Sequence, residues 1–107
     1  MTEMTYAQAA RLALQEEMTR DPKVWALGED LGFEGGMAGQ YSDLQAEFGP
    51  DRIVDTPISE STIMGAAVGA ALAGTRPIAE MRFSDFAMCA VSELVNQGAK
   101  ARYMFGG

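Results

Sequence analysis

Glu60 is the residue best placed to do chemistry. It stands in Asp55-Thr56-Pro57-Ile58-Ser59-Glu60-Ser61-Thr62-Ile63-Met64-Gly65-Ala66-Ala67-Val68-Gly69, where a carboxylate closes the loop after an expected strand and opens an apolar, glycine-notched helix. In a parallel α/β sheet, ligands bind outside the carboxyl ends of the strands, and this carboxylate falls there. The helix dipole alone also accounts for a glutamate in a first turn, so the residue type leaves both readings open. The neighbourhood bears on the choice. The helix that follows has no polar side and is expected to be buried all round, which would turn its first turn away from bulk water. A carboxylate held there without a partner favours a protonated or proton-sharing state.

Other chemistries are narrower. Cys89 is the only cysteine and there is no histidine. An internal disulfide, a His/Cys zinc site and a histidine-based triad are thereby excluded. Cys89 lies in the apolar run Phe86-Ala87-Met88-Cys89-Ala90-Val91 and reads as a small core residue rather than a nucleophile. Most of the methionines sit beside other apolar residues and read as core filler.

The elements that must position Glu60 follow from pattern and punctuation. Thr5-Tyr6-Ala7-Gln8 has capping-box spacing and opens a helix over about 5–20, with Tyr6, Ala7, Ala10, Ala13, Leu14 and Met18 on one arc. Asp21-Pro22 ends it. Val24-Trp25-Ala26-Leu27 reads as a short buried strand leading to Gly28-Glu29-Asp30, and the glycine-rich stretch from Leu31 to Gln40 as a loop. Ser42 to Phe48 suits a short helix, and Arg52-Ile53-Val54 a second strand whose exit is held extended by Thr56-Pro57. Ser59 is placed to cap a helix over roughly 61–73, Gly74 to end it, and Arg76 to Met81 to form a third strand. A last helix is expected from Ser84 or Asp85 to about Arg102. This alternation predicts an α/β fold, a parallel sheet with helices on both faces, incomplete within this chain because three strands are few for so many helices.

The 107 residues, 48% of them hydrophobic, fit one domain with a single core. A net charge of −7 argues against nucleic acid as a partner, since phosphates would repel the chain. No stretch approaches the roughly 20 apolar residues that span a bilayer, so no membrane association is expected. Met1-Thr2-Glu3 lacks the basic start and apolar run of a secretory signal, and a cytoplasmic location follows as the expectation.

From about Thr5 to Gly107 the chain resembles a known family. The matching blocks are Asp21-Pro22-Lys23-Val24, Gly28-Glu29-Asp30, Phe48-Gly49-Pro50-Asp51-Arg52, Asp55-Thr56-Pro57-Ile58-Ser59-Glu60, Phe83-Ser84-Asp85-Phe86 and Tyr103-Met104-Phe105-Gly106-Gly107. Together they resemble the N-terminal third of the beta subunit of thiamine-diphosphate-dependent dehydrogenases of the acetoin, pyruvate and branched-chain 2-oxo acid types. Glu60 with Gly65 and Gly69 is also similar to the pyrimidine-domain motif of thiamine enzymes. The resemblance implies that residues 1–107 form the front part of a transketolase-like pyrimidine-binding domain.

It further implies roles. The glutamate at the position of Glu60 hydrogen-bonds a ring nitrogen of the cofactor's aminopyrimidine, favouring the imino tautomer that generates the thiazolium ylide. Ile58 would contact the aminopyrimidine through its backbone, Glu29 would line the pocket, and Phe86 would pack against the pyrimidine ring. Each keeps a simpler alternative: Phe86 as core, Glu29 as a loop charge. The Gly65/Gly69 stripe is similar to a contact with a partner subunit, and packing inside the domain explains it as well. The implied cofactor is thiamine diphosphate, with Mg2+ held by a partner alpha subunit. A second beta subunit and a lipoyl-bearing acyltransferase core are the further implied partners of a heterotetrameric enzyme.

Four positions depart from the family pattern. Ser92-Glu93 stands where Asp-Gln is usual, Gly98 where alanine is usual, and Arg82 at a position usually apolar. The glycine weakens its helix by about 0.5–1 kcal/mol. Two other functions stay open on the sequence: a truncated, non-catalytic module that associates without turnover, and a free-standing small-molecule α/β domain. The second is disfavoured by the lack of a phosphate-cradling glycine loop.

Overall fold

The computed structural model describes residues 3–107; Met1 and Thr2, which entered the signal-peptide argument, lie outside them. Helix α1 spans Tyr6–Arg20 and begins in the expected capping box. The Thr5 hydroxyl accepts the Gln8 amide at 3.2 Å, and the Gln8 side chain accepts the Thr5 amide at 2.8 Å. Asp21 turns the chain, its carboxylate accepting the Lys23 amide, and strand β1 follows over Val24–Glu29. Then come α2 (Leu44–Phe48), β2 (Ile53–Thr56), α3 (Glu60–Leu72) and β3 (Arg76–Ala79). Gly74, at φ 98°, takes the left-handed conformation that ends α3, where a side chain would be strained.

All strand pairs are parallel, in the order β2-β1-β3. Side chains along a strand alternate between faces, and the two buried clusters divide the strand residues accordingly. Val24, Ala26, Ile53 and Ile78 turn toward one face, where they pack with Leu14, Met18, Leu31, Tyr41, Leu44 and Phe48 from α1, the loop and α2. Trp25, Leu27, Val54 and Ala79 turn toward the other, against Ile63 and Ala67 of α3. The expected helices on both faces are therefore present, but the single expected core is two cores separated by the sheet.

Arg52 ties the first face together. Its guanidinium donates to the carbonyls of Met18 (2.8 Å), Asp21 (3.1 Å) and Val24 (2.6 Å) and lies 5.2 Å from the centre of the Phe48 ring. The Met18 carbonyl belongs to the last turn of α1, where carbonyls lack intrahelical partners and a cation is favoured.

Several expectations are corrected. α3 is not buried all round: Ile63 and Ala67 are its buried residues, while Ser61, Thr62, Ala66, Gly69, Ala71 and Leu72 are exposed. The sheet covers one side of it and the helical run after β3 partly covers another, while the side with Gly69 stays open. The single long final helix is instead a helical run of changing pitch: 3-10 over Ser84–Ala90, π over Ser92–Gly98, and a short α4 over Ala99–Met104. The pitch changes where the run crosses α3, with Gly98 so near that a Cβ there would lie 3.4 Å from Val68 Cγ2. Cys89 is exposed rather than core. Of the described methionines only Met18 is buried, and Met4, Met37, Met88 and Met104 are exposed. Tyr6, placed on the packing arc of α1, is 91% exposed, because α1 buries its far end at Met18 rather than its first turn.

Candidate functional site

The strand register assembles the site. Glu29, the last residue of β1, pairs with Thr56, the last of β2, and Leu27 pairs with Ala79, the last of β3. Three connections therefore leave the same edge of the sheet: Asp30 onward, Pro57-Ile58-Ser59 into α3, and Glu80 onward. This carboxyl edge is where a doubly wound sheet holds a ligand.

Glu60 opens α3 and is half-buried. Ser59 is the cap residue, but its hydroxyl donates to the Pro57 carbonyl at 3.0 Å rather than accepting a helix amide. The first turn thus has no side-chain cap, which leaves its amide dipoles to the surroundings of Glu60. One residue on, the Ser61 hydroxyl donates to the Cys89 carbonyl at 2.6 Å and ties this turn to the 3-10 segment that carries Phe86. Phe86 is 38% exposed and meets Phe83 edge to face, with ring centres 5.3 Å apart. Its ring is at the surface, so the core alternative does not describe it. Ile58 is 79% exposed.

Glu29 is only 8% exposed, which removes its alternative as a solvated loop charge. Around it lies a cluster of charged and polar groups. Its carbonyl accepts from Arg82 Nη2 at 3.0 Å, and the same nitrogen lies 3.5 Å from Asp30 and 3.6 Å from Glu34 carboxylate oxygens. Glu80 crosses over Gly28, where a Cβ would come within 2.8 Å of the Glu80 Cβ, so only glycine leaves room. Glu80 Oε2 and Arg82 Nε are buried without a protein partner. Burial foremost pushes the Glu80 carboxyl above the usual carboxylate range; Arg82 opposes the shift and Glu29 adds to it. The Tyr41 phenol is pushed up to about 12, first by burial and then by the charge of Glu80. Asp55 holds the same loop from the other side, accepting the Gly32 amide at 2.7 Å and Gln45 Nε2 at 3.2 Å.

The structure thus gathers Glu29, Ile58 and Glu60 at one sheet edge and tethers the segment bearing Phe86 to the first turn of α3. The sequence reading missed Glu80, Tyr41 and Asp55 as neighbours of this edge. A carboxylate directly after the apolar strand β3 was the one available signal for Glu80. The glycine stripe divides: a Cβ at Gly65 would meet the Glu93 side chain at 3.6 Å, whereas Gly69 has nothing within 4 Å. Gly65 is therefore an internal contact, made to one of the residues that depart from the family pattern, and Gly69 faces open space.

Residues 2–107 match the family described as transketolase, pyrimidine binding domain, and the chain belongs to that family. It is 48% identical over 103 residues to the 2-oxoisovalerate dehydrogenase subunit beta of Bacillus subtilis, covering 96% of this chain and 32% of the relative. The pyruvate dehydrogenase E1 component subunit beta of Rickettsia bellii is 47% identical over 105 residues, covering 98% and 32%. An acetoin:2,6-dichlorophenolindophenol oxidoreductase subunit beta from Cupriavidus necator is 50% identical, covering 89% and 31%. The chain spans about a third of the length of these relatives. No helix among the described residues is long and apolar enough to cross a membrane.

Proposed function

We propose that this chain is the pyrimidine-activating portion of the beta subunit of a thiamine-diphosphate-dependent dehydrogenase acting on acetoin, pyruvate or a branched-chain 2-oxo acid. The observation that carries the reading is Glu60 in the uncapped first turn of α3, at the carboxyl edge of a parallel sheet beside the buried Glu29. The residues present fit an aminopyrimidine: a carboxyl able to share a proton, an exposed aromatic ring and free backbone at Ile58. When bound, the cofactor supplies an electron sink for cleaving a bond next to a carbonyl carbon.

In this reading Glu60 holds a proton against the pyrimidine ring nitrogen, Ile58 contacts the amino side through its backbone, Phe86 packs on the ring, and Glu29 lines the pocket. Only Glu or Asp can play the first part, since an amide keeps the shape but not the exchangeable acid. A partner alpha subunit holds the diphosphate and Mg2+. A second beta subunit and a lipoyl-bearing acyltransferase core complete the assembly, and the acyl product passes to lipoyl groups. The exposed open side at Gly69 supports docking of such a partner.

Calorimetry with thiamine diphosphate and Mg2+ tests the division of labour. The 107-residue chain alone should bind very weakly and turn over nothing, and co-expression with its alpha subunit should restore tight binding. Tight stoichiometric binding to the chain alone would overturn the two-subunit reading. Assembly with the alpha subunit that yields no turnover on any of the three substrate types would leave only a non-catalytic module.

A further inference from the structure

Arg82 takes a rung of the sheet that its own backbone does not take. In the β1–β3 ladder the Leu27 carbonyl accepts the Glu80 amide at 2.9 Å. Alternate carbonyls of a strand point the same way, so the next acceptor on this side is the Glu29 carbonyl, and the next donor in parallel register would be the amide of residue 82. The guanidinium donates there instead, Nη2 to the Glu29 carbonyl at 3.0 Å. The same nitrogen faces Asp30 and Glu34, at 3.5 and 3.6 Å. Asp30 follows Glu29 in the left-handed region, at φ 53°, a conformation that persists in a non-glycine residue only when its surroundings hold it. The Arg82 side chain is 19% exposed while those of Asp30 and Glu34 are 48% and 52% exposed, so the guanidinium is held at its own end and its carboxylate partners face solvent.

We infer that Arg82 is a positioning residue for Glu29: it extends the ladder by one side-chain rung and anchors the Asp30–Glu34 turn across the end of β1. The inference rests on the reading above, in which Glu29 lines the cofactor pocket. It assigns a task to a side chain that the family pattern does not call for. Removing the guanidinium frees the Glu29 peptide and lets the turn drift, so that the Glu29 side chain loses its fixed place at the sheet edge. A lysine retains a charge able to reach the same carbonyl and carboxylates, but as a point donor without the planar fork.

The test uses the full chain assembled with its alpha subunit, as wild type, Arg82→Met and Arg82→Lys. Two readouts are taken: thiamine diphosphate affinity by calorimetry at low temperature, and the carbonyl 13C shift of Glu29 with that of Leu27 as internal control. Arg82→Met should weaken binding roughly tenfold, as when the binding-competent placement of Glu29 falls to about a tenth of the population. It should move the Glu29 signal, leave the Leu27 signal in place, and Arg82→Lys should recover most of the affinity. Wild-type affinity in Arg82→Met, or an unmoved Glu29 signal, would overturn the assignment. A purely structural arginine would lower the melting temperature and leave the affinity of the folded complex unchanged. Should Arg82→Met fail to assemble, the double variant Asp30→Asn/Glu34→Gln strips the guanidinium of its ion pairs and should weaken binding severalfold; wild-type affinity there would also overturn it. The underlying reading is checked separately by Glu60→Gln. If that variant exchanges the cofactor's thiazolium proton at the wild-type rate, the reading fails, and the inference with it.

Discussion

On one face of the sheet Met18, Leu31, Leu44 and Ile53 are fully buried under α1, the glycine-rich loop and α2, with Arg52 closing the end of α1. On the other face the buried set is Leu27, Ile63 and Ala67, and the helical layer beyond it exposes Leu72, Met88, Leu94, Val95 and Met104. Apolar burial provides most of the favourable free energy of folding, so the first face carries the chain's own stability. The second face is apolar in sequence and open in structure. These exposed apolar side chains are the surface that the proposed partner subunit would cover. The carboxyl edge with Glu29 and Glu60 lies between the two, anchored by the first face and open toward the second.

The largest expected effect lies on the first face. Ile53→Ala should cost about 2–5 kcal/mol, read by urea or thermal melts of the chain, because Ile53 is fully buried and its neighbours cannot collapse onto the void. Leu94→Ala on the open side should stay within about 0.5 kcal/mol. Equal losses at the two positions would erase the distinction between the faces.

Next comes Gly28→Ala at the edge. Its new methyl would lie 2.8 Å from the Glu80 Cβ, an atom that moves only with its backbone, and the expected cost is about 1–3 kcal/mol. A stability close to wild type would mean that the crossing of Glu80 over β1 is loose.

Glu80 itself gives a pH-dependent contrast. Its folded-state pKa lies above the ordinary 4.5, so the folded chain binds more protons than the unfolded chain as pH rises above that value. Stability contributed by this group therefore falls as pH rises from about 4.5 through the folded pKa. Glu80→Gln escapes that loss and should melt above wild type at pH 7.5, with the gap closing toward pH 4. A gap that widens toward acid would reverse the sign and contradict the burial of this carboxyl.

The smallest expected effect on the chain alone is at Gly69. Nothing lies within 4 Å of its missing side chain, and a mid-helix glycine is a poor helix former. Gly69→Leu should leave the melting point unchanged or slightly higher, yet block association with the alpha subunit in a co-purification experiment. A collapse of the melt would make the stripe internal packing throughout, as Gly65 already is against Glu93.

The order and type of the elements up to β3 were readable because their signals are local. The Thr5–Gln8 capping box, the Asp21 stop, the short apolar run of β1 and the glycine after α3 act within a few residues of themselves. What was not readable depends on partners distant in sequence. An apolar neighbourhood does not say whether another element covers it, and so Tyr6, Cys89 and most methionines were misplaced. The last helix reads as one piece in the sequence because its changes of pitch depend on how its residues meet α3. At the candidate site, Glu60 announced itself through its position between strand and helix. Arg82 could be flagged only as a departure, since its bond to the Glu29 carbonyl depends on the β1–β3 register.

The central claim is that Glu60 shares a proton with the cofactor's aminopyrimidine, and proton exchange at the cofactor's thiazolium carbon measures it most directly. Quenched-flow NMR on the enzyme assembled with its alpha subunit should show exchange slowed about 10²–10⁴-fold in Glu60→Gln, with cofactor binding nearly intact. Glu60→Asp should fall between the two, since it keeps the acid but retracts it by one methylene. If Glu60 serves only the helix dipole, the amide would cost a few tenths to about 1 kcal/mol in a thermal melt and leave exchange at the wild-type rate, and that result would contradict the account.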